Sequence, residues 1–258
     1  MPPRVLASIV CLLALSSCAS AQSLRVAAAS DLQFAMNDLA NKFQKKSGVT
    51  LSISFSSSGN FISQIENGAP FDIFLSADER YPQQLIKDGK ADAQSFVIYA
   101  RGQLVLWSLT STNLRLADRG FSALSDPRVV KIAVANPEHA PYGRAAVAAL
   151  RNARLYDLLK SKLVYGDNIS QTAQFAQSGN AQVAIIALSL SFAESMKNGD
   201  SWQIPTDLYP PIKQAAVVVS ASSNKAAANS FLEFLRSEES QTLLSRYGLS
   251  PPALEKKD

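Results

Sequence analysis

The sequence predicts an α/β protein made of two lobes. Short apolar strands alternate with amphipathic helices along most of the chain, an order typical of a mostly parallel sheet covered by helices. Two extended segments, at 95–100 and 103–107, follow each other with no helix between them, and this break marks the passage into a second lobe. The length of 258 residues also favours two units, since one domain commonly takes about 100 to 150 residues.

The lobe limits follow from the same pattern. We expect a leader at 1–21, a first lobe at 22–101, a second lobe at 102–214 and a return to the first lobe at 215–258. The return rests on the apolar run 215–219, which follows two prolines and is predicted to be a strand that crosses back. Two crossing strands would then join the lobes, with a ligand cleft between them.

The leader has the features of an export signal. Arg4 precedes an apolar run at 5–15 that is too short to span a bilayer, and small residues up to Ala21 provide a signal-peptidase site. Residues 15–18 also fit a lipobox in which Cys18 would carry a lipid, although we favour cleavage after Ala21. We expect a periplasmic protein without disulfides, because both cysteines lie in the leader.

Charge and composition argue against several functions. The formal net charge is +4, but Lys and Arg are scattered, so we expect no nucleic-acid partner. His139 is the sole histidine and the mature chain has no cysteine, so a transition-metal cation site is poorly supported. The chain lacks the Gly-x-Ser-x-Gly motif of many serine hydrolases; a secreted hydrolase using Ser58 or Ser30 stays the alternative from a different class.

Four junctions where a predicted strand runs into a predicted helix carry the candidate binding residues. Two junctions lie on each side of the proposed crossings, and the carboxyl ends of such strands commonly face a ligand cleft. A helix N-terminus adds free backbone N–H groups and the positive end of a dipole, which suits an anion. The candidate ligand-binding residues are Ser30, Asp31, Ser58, Tyr142 and Ile169.

The donors at these junctions are neutral. Serine hydroxyls, the Tyr142 phenol and backbone N–H groups offer hydrogens without a positive charge. A fully deprotonated tetrahedral oxyanion only accepts hydrogen bonds, so these donors match it, whereas a protonated phosphate would turn an O–H toward a donor at a cost of about 1 to 3 kcal/mol. We expect the Asp31 carboxylate to point away from the anion and cap its own helix, and Asn60 to cap the helix after Ser58.

Several motifs, taken together and in this order, resemble those of the periplasmic molybdate-binding proteins, the solute receptors of molybdate ABC transporters. The resemblance covers nearly the whole mature chain. The motifs are AAASD at 27–31, SSSG at 56–59, NGAPFD at 67–72, NPEHAPYG at 136–143 and NISQT at 168–172.

The resemblance implies a fold, a ligand and a partner. The fold is the type II periplasmic-binding-protein fold, and the protein is a receptor and not an enzyme. Molybdate is the implied ligand, tungstate is a near-identical second dianion, and no cofactor is implied. The partner is the membrane permease of an ABC transporter, and we expect a monomer. A receptor of the same fold for another oxyanion, such as sulfate, stays the alternative.

The resemblance also assigns roles at the site. The two candidate serines match positions whose hydroxyl and amide hold the oxyanion. Asp31 and Ile169 match backbone N–H donors. Tyr142 matches the tyrosine of one branch of the family, whereas another branch carries its tyrosine where this chain has Ala187. We therefore expect the tyrosine hydroxyl at the site to come from Tyr142, which lies on a different element from the tyrosine of that other branch.

Overall fold

The computed structural model describes residues 22–252, so the leader predicted at 1–21 lies outside the described residues. The described chain forms two five-stranded sheets, each covered by helices, which confirms the predicted α/β fold of two lobes. None of the helices within 22–252 has the length and apolar character needed to cross a membrane.

The strands of the described chain are β1 (Ser23–Ala29), β2 (Thr50–Ser56), β3 (Ile73–Ser76), β4 (Val97–Gly102), β5 (Leu104–Leu109), β6 (Ile132–Ala135), β7 (Leu163–Gly166), β8 (Val183–Ala187), β9 (Gly199–Gln203) and β10 (Ile212–Val218). The α-helices are α1 (Gln33–Ser47), α2 (Ser58–Glu66), α3 (Arg80–Lys87), α4 (Leu116–Arg119), α5 (Pro141–Asn152), α6 (Tyr156–Leu159), α7 (Ile169–Gln177), α8 (Leu188–Ser191), α9 (Lys225–Arg236) and α10 (Glu238–Arg246).

The two sheets share one arrangement. In the first sheet, of order β2-β1-β3-β10-β4, β1 runs parallel to β2 and β3, and β10 runs antiparallel to β3 and β4. In the second sheet, of order β7-β6-β8-β5-β9, β6 runs parallel to β7 and β8, and β5 runs antiparallel to β8 and β9. The parallel strands β1, β2, β6 and β7 are those followed by the candidate binding residues.

The chain passes between the sheets twice. Strand β4 belongs to the first sheet and β5 to the second, with Gln103 alone between them. Strand β9 is an edge of the second sheet that the sequence did not predict, and β10 then lies in the first sheet. The lobe limits given from the sequence stay a prediction.

Local sequence explains the elements around the site. The predicted apolar face of α1 is buried, including Met36, Leu39 and Phe43, and the helix ends at Gly48, whose φ of 74° favours glycine. The predicted cap of α2 is wrong. Ser57 is the N-cap residue and its hydroxyl accepts from the Asn60 N–H, because the helix begins two residues before Asn60.

Candidate functional site

A small cavity lies where the two lobes meet, at the carboxyl ends of β1, β2, β6 and β7. Its volume is about 10 Å³, roughly the space that one water molecule needs, and it is partly open to solvent. All five candidate residues line this cavity. Its lining residues are Ala29, Ser30, Asp31, Ser56, Ser57, Ser58, Ala77, Ala140, Pro141, Tyr142 and Ile169.

Ser58 begins α2 and is fully buried at the cavity. Its hydroxyl oxygen accepts a hydrogen bond from the Ala77 N–H at 3.0 Å. A serine hydroxyl has one proton in addition to its acceptor lone pairs. The contact with Ala77 therefore fixes the oxygen and leaves the Ser58 proton available to a guest.

Ser30 follows β1 directly and begins a single 3-10 turn, Ser30–Leu32. It is buried, and no hydrogen bond within residues 22–252 engages its hydroxyl. Its backbone carbonyl accepts from the Ser170 hydroxyl of the second lobe at 2.9 Å. The Ser30 backbone thus contacts the opposite lobe while its side chain lines the cavity.

Ile169 brings a helix N-terminus to the cavity from the second lobe. Asn168 is the N-cap residue of α7, and its side chain accepts from the Gln171 N–H at 3.0 Å. The Ile169 N–H lies in the first turn, where backbone N–H groups have no partner within the helix. This group and the dipole of α7 favour negative charge at the cavity.

Asp31 lies in a buried chain of polar side chains that runs across the cleft. The Asp31 Oδ2 atom accepts from the Tyr142 hydroxyl at 2.9 Å and from the Gln214 side-chain amide. The same Gln214 nitrogen donates to the Tyr142 oxygen at 3.0 Å, and the Tyr99 hydroxyl donates to the Gln214 carbonyl oxygen at 2.8 Å. These hydrogen-bonded side chains therefore connect β4, β10, α5 and the turn after β1.

The prediction that Asp31 caps its own helix is wrong. Its side chain makes no cap hydrogen bond either in the turn Ser30–Leu32 or at the start of α1. Tyr142 and Gln214 come from α5 and β10 and supply buried partners for the carboxylate. Such partners from distant parts of the chain replace the local hydrogen bond that sequence spacing favours.

Burial controls the electrostatics of Asp31. Removal from water raises the pKa of its carboxyl from 3.8 to about 7, and the hydrogen bonds from Tyr142 and Gln214 only partly oppose the rise. Its Oδ1 atom is buried and has no hydrogen-bond partner in the described chain. Burial, and next the neighbouring Asp31 charge, raises the pKa of Tyr142 well above 10.0, so its phenol stays protonated.

Comparison with known proteins identifies the family. The sequence model of the bacterial extracellular solute-binding proteins matches residues 24–250. The molybdate-binding protein ModA of Azotobacter vinelandii is 38% identical over 235 residues, which cover 91% of this chain and 92% of that protein. The ModA of Rhodobacter capsulatus is 40% identical over 206 residues, which cover 80% of this chain and 79% of that protein.

This chain belongs to the ModA family of bacterial extracellular solute-binding proteins.

Solved structures agree with this placement. The periplasmic molybdate-binding protein of Azotobacter vinelandii superposes with a TM-score of 0.82 at 32% identity, covering 89% of this chain and 99% of that chain. The sulfate-binding protein SubI of Mycobacterium tuberculosis superposes with a TM-score of 0.71 at 17% identity, covering 90% of this chain and 88% of that chain, and shows a shared fold. Membership in a family of binding proteins confirms the prediction that the chain is not an enzyme.

In this ModA-family protein, hydrogen bonds to backbone carbonyl groups join the lobes beside the cavity. The Gly59 N–H of α2 donates to the His139 carbonyl oxygen of the second lobe at 2.9 Å. The Ser189 hydroxyl of the second lobe donates to the Asp31 carbonyl oxygen at 2.8 Å. A Cβ atom at Gly59 would lie 2.5 Å from the His139 oxygen, so this approach requires glycine.

Gln214 and Tyr99 belong to the polar chain at the site, and the sequence did not predict either. Both are fully buried and lie in the first sheet, on β10 and β4. A sequence signal existed for Gln214, because it is a polar residue beside the buried apolar run of a strand. Within residues 22–252 no group of three or more metal-ligating side chains occurs.

Proposed function

We propose that this chain captures molybdate in the cavity between its lobes, accepts tungstate as well, and delivers the anion to the membrane permease of an ABC transporter. The observation that carries the proposal is the convergence of neutral donors from both lobes on one small cavity. Membership in the ModA family supports the choice of anion, since the relatives compared above are named molybdate-binding proteins.

Neutral donors suit a tetrahedral dianion. The hydroxyls of Ser30 and Ser58 and the N–H of Ile169 would each donate to an oxyanion oxygen. No Lys, Arg or His lines the cavity within the described chain. These donors favour a fully deprotonated anion over one that carries a proton. Asp31 supplies the carboxyl group among the lining residues, and its Oδ2 atom already accepts from Tyr142 and Gln214. An organic carboxylate would instead favour an arginine fork, which this cavity does not offer.

The proposed mechanism is closure of the lobes around the anion. Ser30 and Ser58 belong to the first lobe, and Ile169 and Tyr142 to the second, so a bound anion would bridge donors that separate when the lobes open. The anion thus has more partners in the closed state than in the open one. This difference in contacts is what a ligand needs in order to shift the equilibrium toward closure.

Isothermal titration of the purified mature protein with molybdate, tungstate, sulfate and phosphate tests the proposal. We expect molybdate and tungstate to bind with similar affinity, sulfate to bind more weakly, and phosphate to bind least, because it carries a proton near neutral pH. Absence of heat with molybdate contradicts the proposal. A clear preference for sulfate favours the alternative receptor.

Ser58→Ala is the matching variant. It removes a buried donor to the anion, so we expect molybdate binding to weaken by about 1 to 3 kcal/mol, or about 5- to 150-fold. Stability falls as well, because the buried Ala77 N–H loses its acceptor. Ser63→Ala is the control, since Ser63 is exposed on the same helix. Equal affinities of both variants would remove Ser58 from the site.

We further propose that the mature protein is a periplasmic monomer that begins at Gln22. Intact-mass measurement distinguishes this from a lipid on Cys18, and light scattering measures the oligomeric state. A diacylglyceryl mass contradicts cleavage after Ala21, and a dimer mass contradicts the monomer.

A further inference from the structure

Tyr142 has one proton and two candidate acceptors for it. In the closed structure its hydroxyl donates to Asp31 Oδ2 at 2.9 Å, and its oxygen accepts from the Gln214 amide nitrogen at 3.0 Å. An amide nitrogen only donates, so Gln214 cannot accept the phenol proton there. While Asp31 is ionised and accepts that proton, the phenol has none for an anion in the cavity.

Asp31 has no cation to balance its charge. The titratable side chains that face it are Tyr142 from α5 and, behind Gln214, Tyr99 from β4. Gln214 of β10 and the Ser189 hydroxyl, which donates to the Asp31 carbonyl, are neutral. Among residues 22–252 no Lys, Arg or His forms an ion pair or hydrogen bond with this carboxylate. A dianion in the cavity would therefore lie close to an uncompensated buried negative charge, which is unfavourable.

We propose that Asp31 takes up one proton when the oxyanion binds, which reverses its hydrogen bond with Tyr142 and turns the phenol proton toward the anion. The inference rests on the proposed function and deepens it. The proton comes from solvent and forms one O–H bond on the carboxyl group. Protonated Asp31 then donates to the Tyr142 oxygen, and no electron moves.

Asp31 is already close to protonation. Burial raises the pKa of its carboxyl to about 7, and a dianion nearby would raise it further, because the second negative charge also disfavours the carboxylate. Below about pH 7 the proton is present before binding. Above that pH it must be taken up, so affinity falls by about tenfold per pH unit until the pH exceeds the pKa of Asp31 in the complex.

Asp31 is therefore a positioning residue whose side chain acts through Tyr142. A purely structural role for the carboxyl would change affinity or stability without changing the number of protons bound with the anion. Proton uptake separates the two roles, because it depends on the difference in protonation between the free and bound states.

The experiment is isothermal titration with molybdate at about pH 8 in two buffers that differ in ionisation enthalpy, which measures the protons bound per anion. Molybdate stays a dianion at this pH. We expect uptake close to one proton for the wild type and none for Asp31→Asn, whose amide does not ionise. Ser58→Ala is the matched control: its affinity falls, but its proton uptake equals that of the wild type.

Molybdate binding by the wild type without proton uptake overturns the inference and leaves the proposed function intact. Uptake that persists in Asp31→Asn also overturns the inference. If the wild type gives no heat with molybdate, both proposals fail. Should Asp31→Asn not fold, the affinity of the wild type between about pH 7 and about pH 9 decides: a decline supports the inference and a flat profile overturns it.

Discussion

Two kinds of polar contact cross from one lobe to the other, one inside the cleft and one at its rim. Inside, Asp31 accepts from the neutral Tyr142 of the second lobe and from Gln214 on its own sheet, and no cation within residues 22–252 pairs with it. At the rim, Asp78 pairs with Arg144 of the second lobe at 2.6 Å and also with Arg80 of its own lobe. Both contacts hold a carboxylate, but only the rim supplies the opposite charge.

The pKa of an aspartate is shifted in opposite directions in the two places. Burial raises the pKa of Asp31 to about 7. Burial would also raise the pKa of Asp78, but the hydrogen bonds from Arg80 and Arg144 outweigh it and hold the pKa of Asp78 below 3.8. The difference shows how the cleft separates its tasks. Oppositely charged side chains meet at the rim near water, and the interior holds a carboxyl group whose pKa lies near neutrality.

Asp31→Asn has the largest expected effect on stability. The pKa of Asp31 is 3.8 in the unfolded chain and about 7 in the folded protein. The folded protein therefore binds this proton more tightly than the unfolded chain does. The resulting stabilisation is complete below about pH 4 and is lost as the pH rises to about 7. The variant does not titrate. We expect its free energy of unfolding, relative to that of the wild type, to rise by up to roughly 4 kcal/mol across this range and to stay constant at higher pH.

Urea unfolding of the wild type and Asp31→Asn at several values between about pH 4 and about pH 8 measures this difference. Other carboxyl groups titrate in both proteins and cancel. A difference that stays constant with pH would mean that Asp31 ionises normally and that the interior resembles the rim.

Gly59→Ala tests the neutral contact between the Gly59 N–H and the His139 carbonyl beside the cavity, with the next largest expected effect. A Cβ there would lie within 2.7 Å of His139 backbone atoms, which cannot move aside as a flexible side chain would. The clash exists only when the lobes are closed, so we expect molybdate affinity to fall by about 1 to 3 kcal/mol while the ligand-free protein keeps its melting temperature. Ser63→Ala on the same helix is the control.

Calorimetric titration and thermal unfolding of the Gly59→Ala protein separate closure from folding. Unchanged affinity would mean that binding does not need the Gly59 contact with His139. A lower melting temperature without ligand would mean that the contact belongs to the fold itself.

Sequence pattern predicted the fold because its signals are local. The alternation in β2 and the apolar face of α1 lie within one element each, and a strand followed by a helix places its junction at the sheet edge. Strand β9 was missed because the residues of Gly199–Gln203 are exposed or half-buried at a sheet edge and lack that pattern.

The site was predictable only in part. The junction residues Ser30, Ser58 and Ile169 have signals in their own turns, and the structure brings them to one cavity. The side chain of Asp31 did not follow its local signal, because Gln214, 183 positions away in sequence, reaches it through the packing of β10. Partners at such distances depend on tertiary structure, which no short sequence pattern encodes.

Arg144→Gln should have the smallest effect. Arg144 donates to Asp78 at 2.6 Å and to the Tyr81 hydroxyl at 2.9 Å, so its loss removes a contact between the lobes. Asp78 keeps Arg80 as a second partner, and the Arg144 side chain is 28% exposed. Partly exposed pairs contribute about 0.2 to 1 kcal/mol, so we expect molybdate affinity to fall less than about fivefold.

Arg80→Gln is the matched control, because Arg80 pairs with the same carboxylate from within the first lobe and should leave affinity unchanged. Titration at low and at high salt completes the test: added salt should weaken wild-type binding slightly and have less effect on Arg144→Gln, because screening acts on the rim pair. A loss far above tenfold in Arg144→Gln would show that the charged rim holds the lobes closed. The neutral donors inside the cleft would then contribute little to lobe closure.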